Sequence, residues 1–453
     1  MTAISIQPRR SEAHRLAAWV DRNRLLIGAI VIAFALSGLS LFFNHAIDYD
    51  PAGWIVYGRE LLGDSSLNTT GFPAWKPLPA FMIAPFTLLS RGTADIYYWL
   101  FITRACGVLL VFSVAALAHR FGGILAALLA GFLLIISPWW AIDAAIGRDS
   151  SIAALFFITA FLAHYHGWHR WAIAGIVLTT LSRPEAAPFL ILYELWMWRT
   201  KRVPLWFLVP ALAVAIVPWG IPTIFHAGLA PSTISQNSGG AGTPVNSGFP
   251  FGSVLVEAMQ QLREPVAVMA CLGILATAYG FLRRGRRDRI SQIWGRDLTE
   301  QIMLAVGLAW VVVVAAESQV GHYSGNSRYL VPGLVVLIVV ASVVTVRLPG
   351  SRKLLGLALG VIIGGVTLAT SLYILTGASV EGMVKQRDAQ LYNITWQSRA
   401  LDCPRDEVAD HNNNAYLAVI RNQPLQDSIK WTITHVNFAD NAYWYVYCTP
   451  PKT

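Results

Sequence analysis

Apolar runs of about 17 to 25 residues alternate along this chain with short polar segments, and such a run is long enough to cross a bilayer as an α-helix. With short basic loops taken to mark the cytoplasmic side, spans are predicted over 25–43, 96–118, 124–142, 150–165, 204–221, 265–282, 302–316, 329–346 and 354–375. Two shorter apolar runs, 171–181 and 184–198, have basic outer flanks. They are predicted to form a helical hairpin whose turn, Ser182-Arg183-Pro184-Glu185, points to the opposite, outer face. The run 77–90 is too short to cross and reads as an interfacial or re-entrant helix. The pattern therefore predicts an all-α polytopic membrane protein of about 11 transmembrane helices, N-terminus inside and C-terminus outside.

The segments between and beyond the spans divide the chain. Residues 1–24 are expected to be a cytoplasmic N-terminal segment, and 25–376 a transmembrane domain with 44–95 as its first extracytoplasmic loop and juxtamembrane helix. Residues 226–252, rich in Gly, Ser, Asn and Pro, read as a loop, and 254–262 as a surface helix. Residues 377–453 are expected to form a small extracytoplasmic C-terminal domain, in which 429–436 and 442–448 alternate as strands do. Cys403 and Cys448 both lie there, and an oxidising compartment permits a disulfide between them. Cys106 and Cys271 lie in apolar runs and read as packing residues.

Composition sharpens this reading. Charged residues make up 13% of the 453, against about 25% in a soluble domain. A net charge of +9 would suit a nucleic-acid partner, but the cations cluster in short loops, such as Arg283, Arg284, Arg286, Arg287 and Arg289. That placement fits topology determinants beside anionic membrane lipid, and no nucleic-acid-binding motif accompanies it. No cysteine/histidine cluster has zinc spacing.

With this topology the unusual polar residues gather on the outer side. The first outer loop carries Asp48, Asp50, Arg59, Glu60 and Lys76, and later outer turns carry Arg148, Asp149, Arg183, Glu185, His322 and Arg328. Group transfer to a hydroxyl needs a base for its proton, and cations to hold an anionic leaving group. Carboxylates and arginines on one face meet both needs. The bland alternatives are an Asp50 that caps the next helix, an Arg148–Asp149 surface ion pair and an Arg183–Glu185 structural pair.

The motifs Asp48-Tyr49-Asp50, Gly53-Trp54, Tyr57-Gly58-Arg59-Glu60, Thr69-Thr70-Gly71, Trp75-Lys76-Pro77-Leu78-Pro79, Arg183-Pro184-Glu185 and Ser324-Gly325-Asn326-Ser327-Arg328-Tyr329-Leu330 resemble those of the GT-C superfamily of membrane glycosyltransferases. The likeness is to the glycosyltransferase-39 and RgtA/B/C/D-like type, in a bacterial subgroup, over about residues 25–350. Its Lys-Pro-Leu-Pro element departs from the family's Lys-Pro-Pro. The resemblance implies a polyprenyl-phosphate sugar donor and a glycan, glycolipid or protein acceptor in the cell envelope, outside a bacterial cytoplasmic membrane. It further implies Asp50 as catalytic base with Asp48 as the alternative, and Asp149 as a second acidic site. Arg183, Arg328, Lys76 and His322 become donor-phosphate contacts, supported by Glu185, Arg148, Arg59 and Glu60. Some members bind a divalent metal through such acids, so a divalent metal is a cofactor to test for. The rival class is a transporter or flippase of lipid-linked sugars, which would carry internal repeats and mid-span charges. No repeat is visible here, and the unusual polar groups lie at one end of the spans.

Overall fold

The computed structural model describes residues 12–42, 47–63, 67, 69, 74–89, 94–224, 243–282, 298–349 and 353–377. The Cys403–Cys448 pairing, the tail strands, the arginine cluster at 283–289 and most of the loop expected at 226–252 lie outside them. The described chain is a bundle of helices, α1 Glu12–Ser40, α2 Tyr49–Leu61, α3 Pro77–Thr87, α4 Ala94–Ile135, α5 Pro138–Ile146, α6 Ser150–Tyr165 and α7 His169–Ser182 in its first half. The second half holds α8 Ala187–Arg199, α9 Leu205–Ile216, α10 Pro250–Leu262, α11 Glu264–Leu282, α12 Leu298–Val320, α13 Val331–Arg347 and α14 Lys353–Gly377.

Helix α13 is the hub. Every residue from Val331 to Thr345 is buried, against α4, α6, α11 and α12. At its basic end Arg347 donates to Glu300 of α12 (2.8 Å) and to the Phe121 carbonyl (2.5 Å). The periphery is the reverse. Leu25, Val31 and Leu39 of α1, Val209 of α9, and Leu354 and Val361 of α14 all face outward. Apolar helix faces of this kind are stable in hydrocarbon, and the molecule is a multi-pass membrane protein. Among the described residues, four helices are long and apolar enough to cross singly, and two bent pairs reach that length together.

Where the elements depart from the expected pattern, the cause is local. Helix α4 turns back on itself at Gly123, whose φ of 73° and ψ of −166° are reserved for glycine. A Cβ at Gly131 would sit 3.6 Å from Val111 and 3.8 Å from Ala115, so the two halves pack as a hairpin. This matches the two crossings expected over 96–118 and 124–142 at their shared end. The second does not run unbroken to residue 142, however. Pro138 lacks a backbone donor, the helix stops at Ile135, and α5 starts afresh, bent 118° from α6.

The larger correction is in the segment expected to be the first outer loop. The segment 44–76 reads as polar, yet it contains α2, buried from Pro51 to Glu60. Asp48 caps this helix by accepting from the Tyr49 N–H at 3.0 Å, so Asp48 rather than Asp50 is the capping residue. Likewise α10 begins at Pro250, before the expected 254–262, and meets α11 at 111°.

Candidate active site

Three tryptophans brace the segments that carry the site. The indole N–H of Trp54 donates to the Ala74 carbonyl (3.1 Å), that of Trp75 to Pro218 (3.0 Å) and that of Trp99 to Gly147 (2.7 Å). Gly147 has a φ of 73°, and a Cβ there would press on Trp99 at 3.2 Å. This turn places Arg148 and Asp149 under α2 and α3, and the Asp48 N–H closes on the Ile146 carbonyl at 2.9 Å.

Asp149 is the electrostatic centre. It is 1% exposed, and Lys76 Nζ donates to both its oxygens at 2.9 Å. Arg183 Nη2 (2.8 Å) and the Ser182 hydroxyl (2.9 Å) complete its shell. Burial alone would raise its pKa, but the charges of Arg183 and Lys76 outweigh that and hold it at about 2. Lys76 is shifted down, by burial first and by the Arg183 charge second. Lys76 also lies 4.8 Å over the Trp54 ring.

Asp50 and Arg328 form a second, more open pair. Arg328 Nη1 donates to Asp50 Oδ2 at 2.6 Å, with side-chain exposures of 17% and 16%. Arg328 comes from the loop between α12 and α13, which is held by Gly325 at φ 65° and by the Trp310 indole bonded to the Tyr329 carbonyl (2.8 Å). The Tyr329 ring lies beneath two guanidinium groups, 4.8 Å from Arg183 and 5.3 Å from Arg328. Burial disfavours its phenolate, yet the charges of Arg328, Lys76 and Arg183 together lower its pKa. Three cationic side chains thus act on Tyr329 and outweigh its burial. Arg183 Nε and Nη1 and Arg328 Nε are buried there without a hydrogen-bond partner.

The other expected site residues divide into neighbours and outliers. Asp48 is bound to Arg148 (2.7 Å) as well as to its own helix cap, and Arg148 reaches Asp143 at 3.8 Å. Arg148 and Asp149 are thus not a surface pair. Nor do Arg183 and Glu185 pair directly, for Glu185 Oε1 accepts from the Tyr323 hydroxyl at 2.9 Å. Arg59 sits at the far end of α2, roughly 16 Å along the axis from Asp48 at 1.5 Å per residue, and is bound to buried Asp95 (2.8 Å). It anchors α2 on α4 and, with the neighbouring buried Glu60, stands apart from the cluster. His322 is exposed, at a φ of 52°. Sequence reasoning passed over Tyr323, Tyr329, Asp95 and Arg104, whose guanidinium ties the Ala144, Ala145 and Ser40 carbonyls together. Tyr329 lies inside the Ser324–Leu330 motif, beside Arg328, and its neighbour was the available signal.

The carboxylates do not fit a divalent metal. Asp48, Asp50 and Asp149 each already bind a cationic side chain, and among the described residues no three His, Cys, Asp or Glu side chains converge.

The described residues form a multi-pass helical bundle with the GT-C membrane fold. Among solved structures, the chain is similar to ArnT from Cupriavidus metallidurans bound to undecaprenyl phosphate, at 14% identity and a TM-score of 0.54, covering 91% of this chain and 90% of that one. The apo state of the same protein gives 16% identity and a TM-score of 0.49 over 91% and 74% of the two chains. An oligosaccharyltransferase from Archaeoglobus fulgidus gives 14% and 0.45, over 90% of this chain and 61% of that one. No protein-family model matches the chain. No curated protein matches it closely enough to count as a relative.

Proposed function

We propose that this protein is a membrane glycosyltransferase that takes a sugar from a polyprenyl-phosphate carrier and transfers it to a hydroxyl of a cell-envelope acceptor on the outer side of a bacterial cytoplasmic membrane. One observation carries the reading. Arg183 and Arg328 lie 4.8 and 5.3 Å over the Tyr329 ring, the Lys76 charge acts on the same tyrosine, and both arginines keep N–H donors that no protein group takes up. A phosphate monoanion or diester matches that site in charge and in acceptor geometry. The ArnT structure to which the fold is similar was solved with undecaprenyl phosphate, which suits the same reading.

Of the carboxylates, Asp50 is the one suited to act as base. Asp149 has both oxygens committed to buried cations, and Asp48 is committed to its helix cap and to Arg148. Asp50 accepts from Arg328 through Oδ2, which leaves Oδ1 for an acceptor hydroxyl, and it is partly open to the exterior. In the proposed reaction the acceptor hydroxyl gives its proton to Asp50 as its oxygen attacks the anomeric carbon. The bond from that carbon to the carrier phosphate breaks, and Arg328, Arg183 and Lys76 stabilise the departing phosphate. Attack opposite the leaving group inverts the anomeric centre. Asp149 acts at one remove, by holding Lys76 and Arg183 in place.

The test is transfer of radiolabelled sugar from undecaprenyl-phosphate carriers to envelope extract by detergent-solubilised protein. Asp50→Asn should lose about 10²–10⁴-fold in rate while keeping the wild-type melting temperature. Transfer by Asp50→Asn at the wild-type rate removes Asp50 from the role. Movement of the labelled carrier in sealed vesicles, with no transfer in detergent, supports the flippase reading instead.

A further inference from the structure

Beside the phosphate-binding cations lies a second group of polar side chains that the proposed reaction does not use. Glu185 is 1% exposed, and its Oε1 is held by the Tyr323 hydroxyl at 2.9 Å, while its Oε2 is buried with no partner. Ser318, 0% exposed, also has a hydroxyl without a partner. These groups share one neighbourhood. Gly325 packs so closely on Ser318 that a Cβ there would lie 2.7 Å from the serine hydroxyl. The Tyr323 N–H bonds the Glu317 carbonyl at 3.2 Å. Glu185 is also a main electrostatic partner of Arg183, after Asp149. The two sides of Arg183 therefore differ. Toward Asp149 the hydrogen bonds are complete, whereas Arg183 Nε and Nη1, the Glu185 Oε2 and the Ser318 hydroxyl have capacity that the protein's own groups leave unused.

The chemistry of these atoms selects their ligand. A phosphate would suit Arg183 but repel Glu185. An ammonium would suit Glu185 but repel Arg183. A hydroxyl both donates and accepts, so adjacent hydroxyls of a neutral sugar can give a proton to Glu185 Oε2 and receive one from Arg183. On the carrier-phosphate reading, the group attached to the phosphate is that sugar. We propose that Glu185, oriented by Tyr323, is a specificity-determining residue that binds hydroxyls of the neutral donor sugar beside the carrier phosphate, with Arg183 shared between the two. This rests on the carrier reading above. Tyr323, which bonds Glu185, and the Arg328–Asp50 pair are partly exposed. A site that hydrogen-bonds a hydroxyl discriminates strongly against ligands that lack it, because its buried polar groups are then left unpaired.

The test measures equilibrium binding of undecaprenyl phosphate and of undecaprenyl phosphate carrying glucose, galactose, mannose or arabinose, to detergent-solubilised full-length protein. Wild type should prefer at least one glycosylated carrier to the bare one. Glu185→Gln should weaken binding of that carrier by roughly tenfold or more and leave bare undecaprenyl phosphate within about twofold. Tyr323→Phe, which removes one hydroxyl and keeps the ring, should act in the same direction and less strongly. The proposal is overturned if Glu185→Gln and Tyr323→Phe weaken bare and glycosylated carriers equally, if neither changes any affinity, or if wild type prefers no glycosylated carrier. Failure of wild type to bind any carrier, bare or glycosylated, instead overturns the carrier reading itself.

Discussion

At Asp149, Lys76, Arg183 and Ser182 close on a carboxylate that is almost fully buried. Removing that charge leaves two cations facing each other in a low-dielectric setting. Asp149→Asn should therefore destabilise the protein by about 3–5 kcal/mol, seen as a lower melting temperature in detergent. The carboxyl titrates near 2 in the folded protein against 3.8 for the free group. Since the folded value is the lower one, the pair's stabilisation is complete above about pH 4 and is lost as pH falls through about 2, roughly 2 kcal/mol in all. Wild type should accordingly lose more stability than Asp149→Asn between pH 5 and pH 3. At this scale the sequence was partly legible. The motifs around Asp48, Lys76, Arg183 and Arg328 named the members of the cluster. They could not say who pairs with whom, because the partners lie far apart in the chain, as Lys76 and Asp149 do. Tyr323 and Tyr329 were missed because a tyrosine in a polar loop has no distinctive pattern until its ring is seen between two arginines.

Among the elements, periodicity and length made the long apolar helices visible, and proline and glycine set the breaks. Helix α2 was hidden for a physical reason. It is buried on all sides between α3 and α4, so it shows neither an amphipathic stripe nor a run long enough to cross. Without it, Asp48 and Asp50 looked like positions in a flexible loop, whereas they occupy the cap and first turn of a rigid helix. The α4 hairpin turns on a glycine-only conformation at Gly123. Gly123→Val should cost about 1–3 kcal/mol, measurable as a fall in melting temperature. The turn lies at the basic end, near the Arg347–Phe121 contact and away from the acid–arginine cluster. Carrier binding by the folded fraction should therefore be unchanged.

For the whole molecule, the basic and acidic ends of the bundle separate the charged groups by role. Arg347 and Glu300 tie helices together at one end, while Asp48, Asp50, Asp149, Arg183 and Arg328 gather at the other. The chemistry proposed needs the second end to face outward. In a background lacking native cysteines, Leu62→Cys should react with a membrane-impermeant maleimide on intact cells, and Thr200→Cys should react only after permeabilisation. The reverse pattern would place the cluster in the cytosol. The most direct test of the central idea, that three cations around Tyr329 form the seat of a carrier phosphate, is the affinity of purified wild type and Arg328→Gln for undecaprenyl phosphate. The account predicts saturable binding by wild type, weakened roughly tenfold or more in the variant. Equal affinities for the two proteins, with both folded, would contradict it.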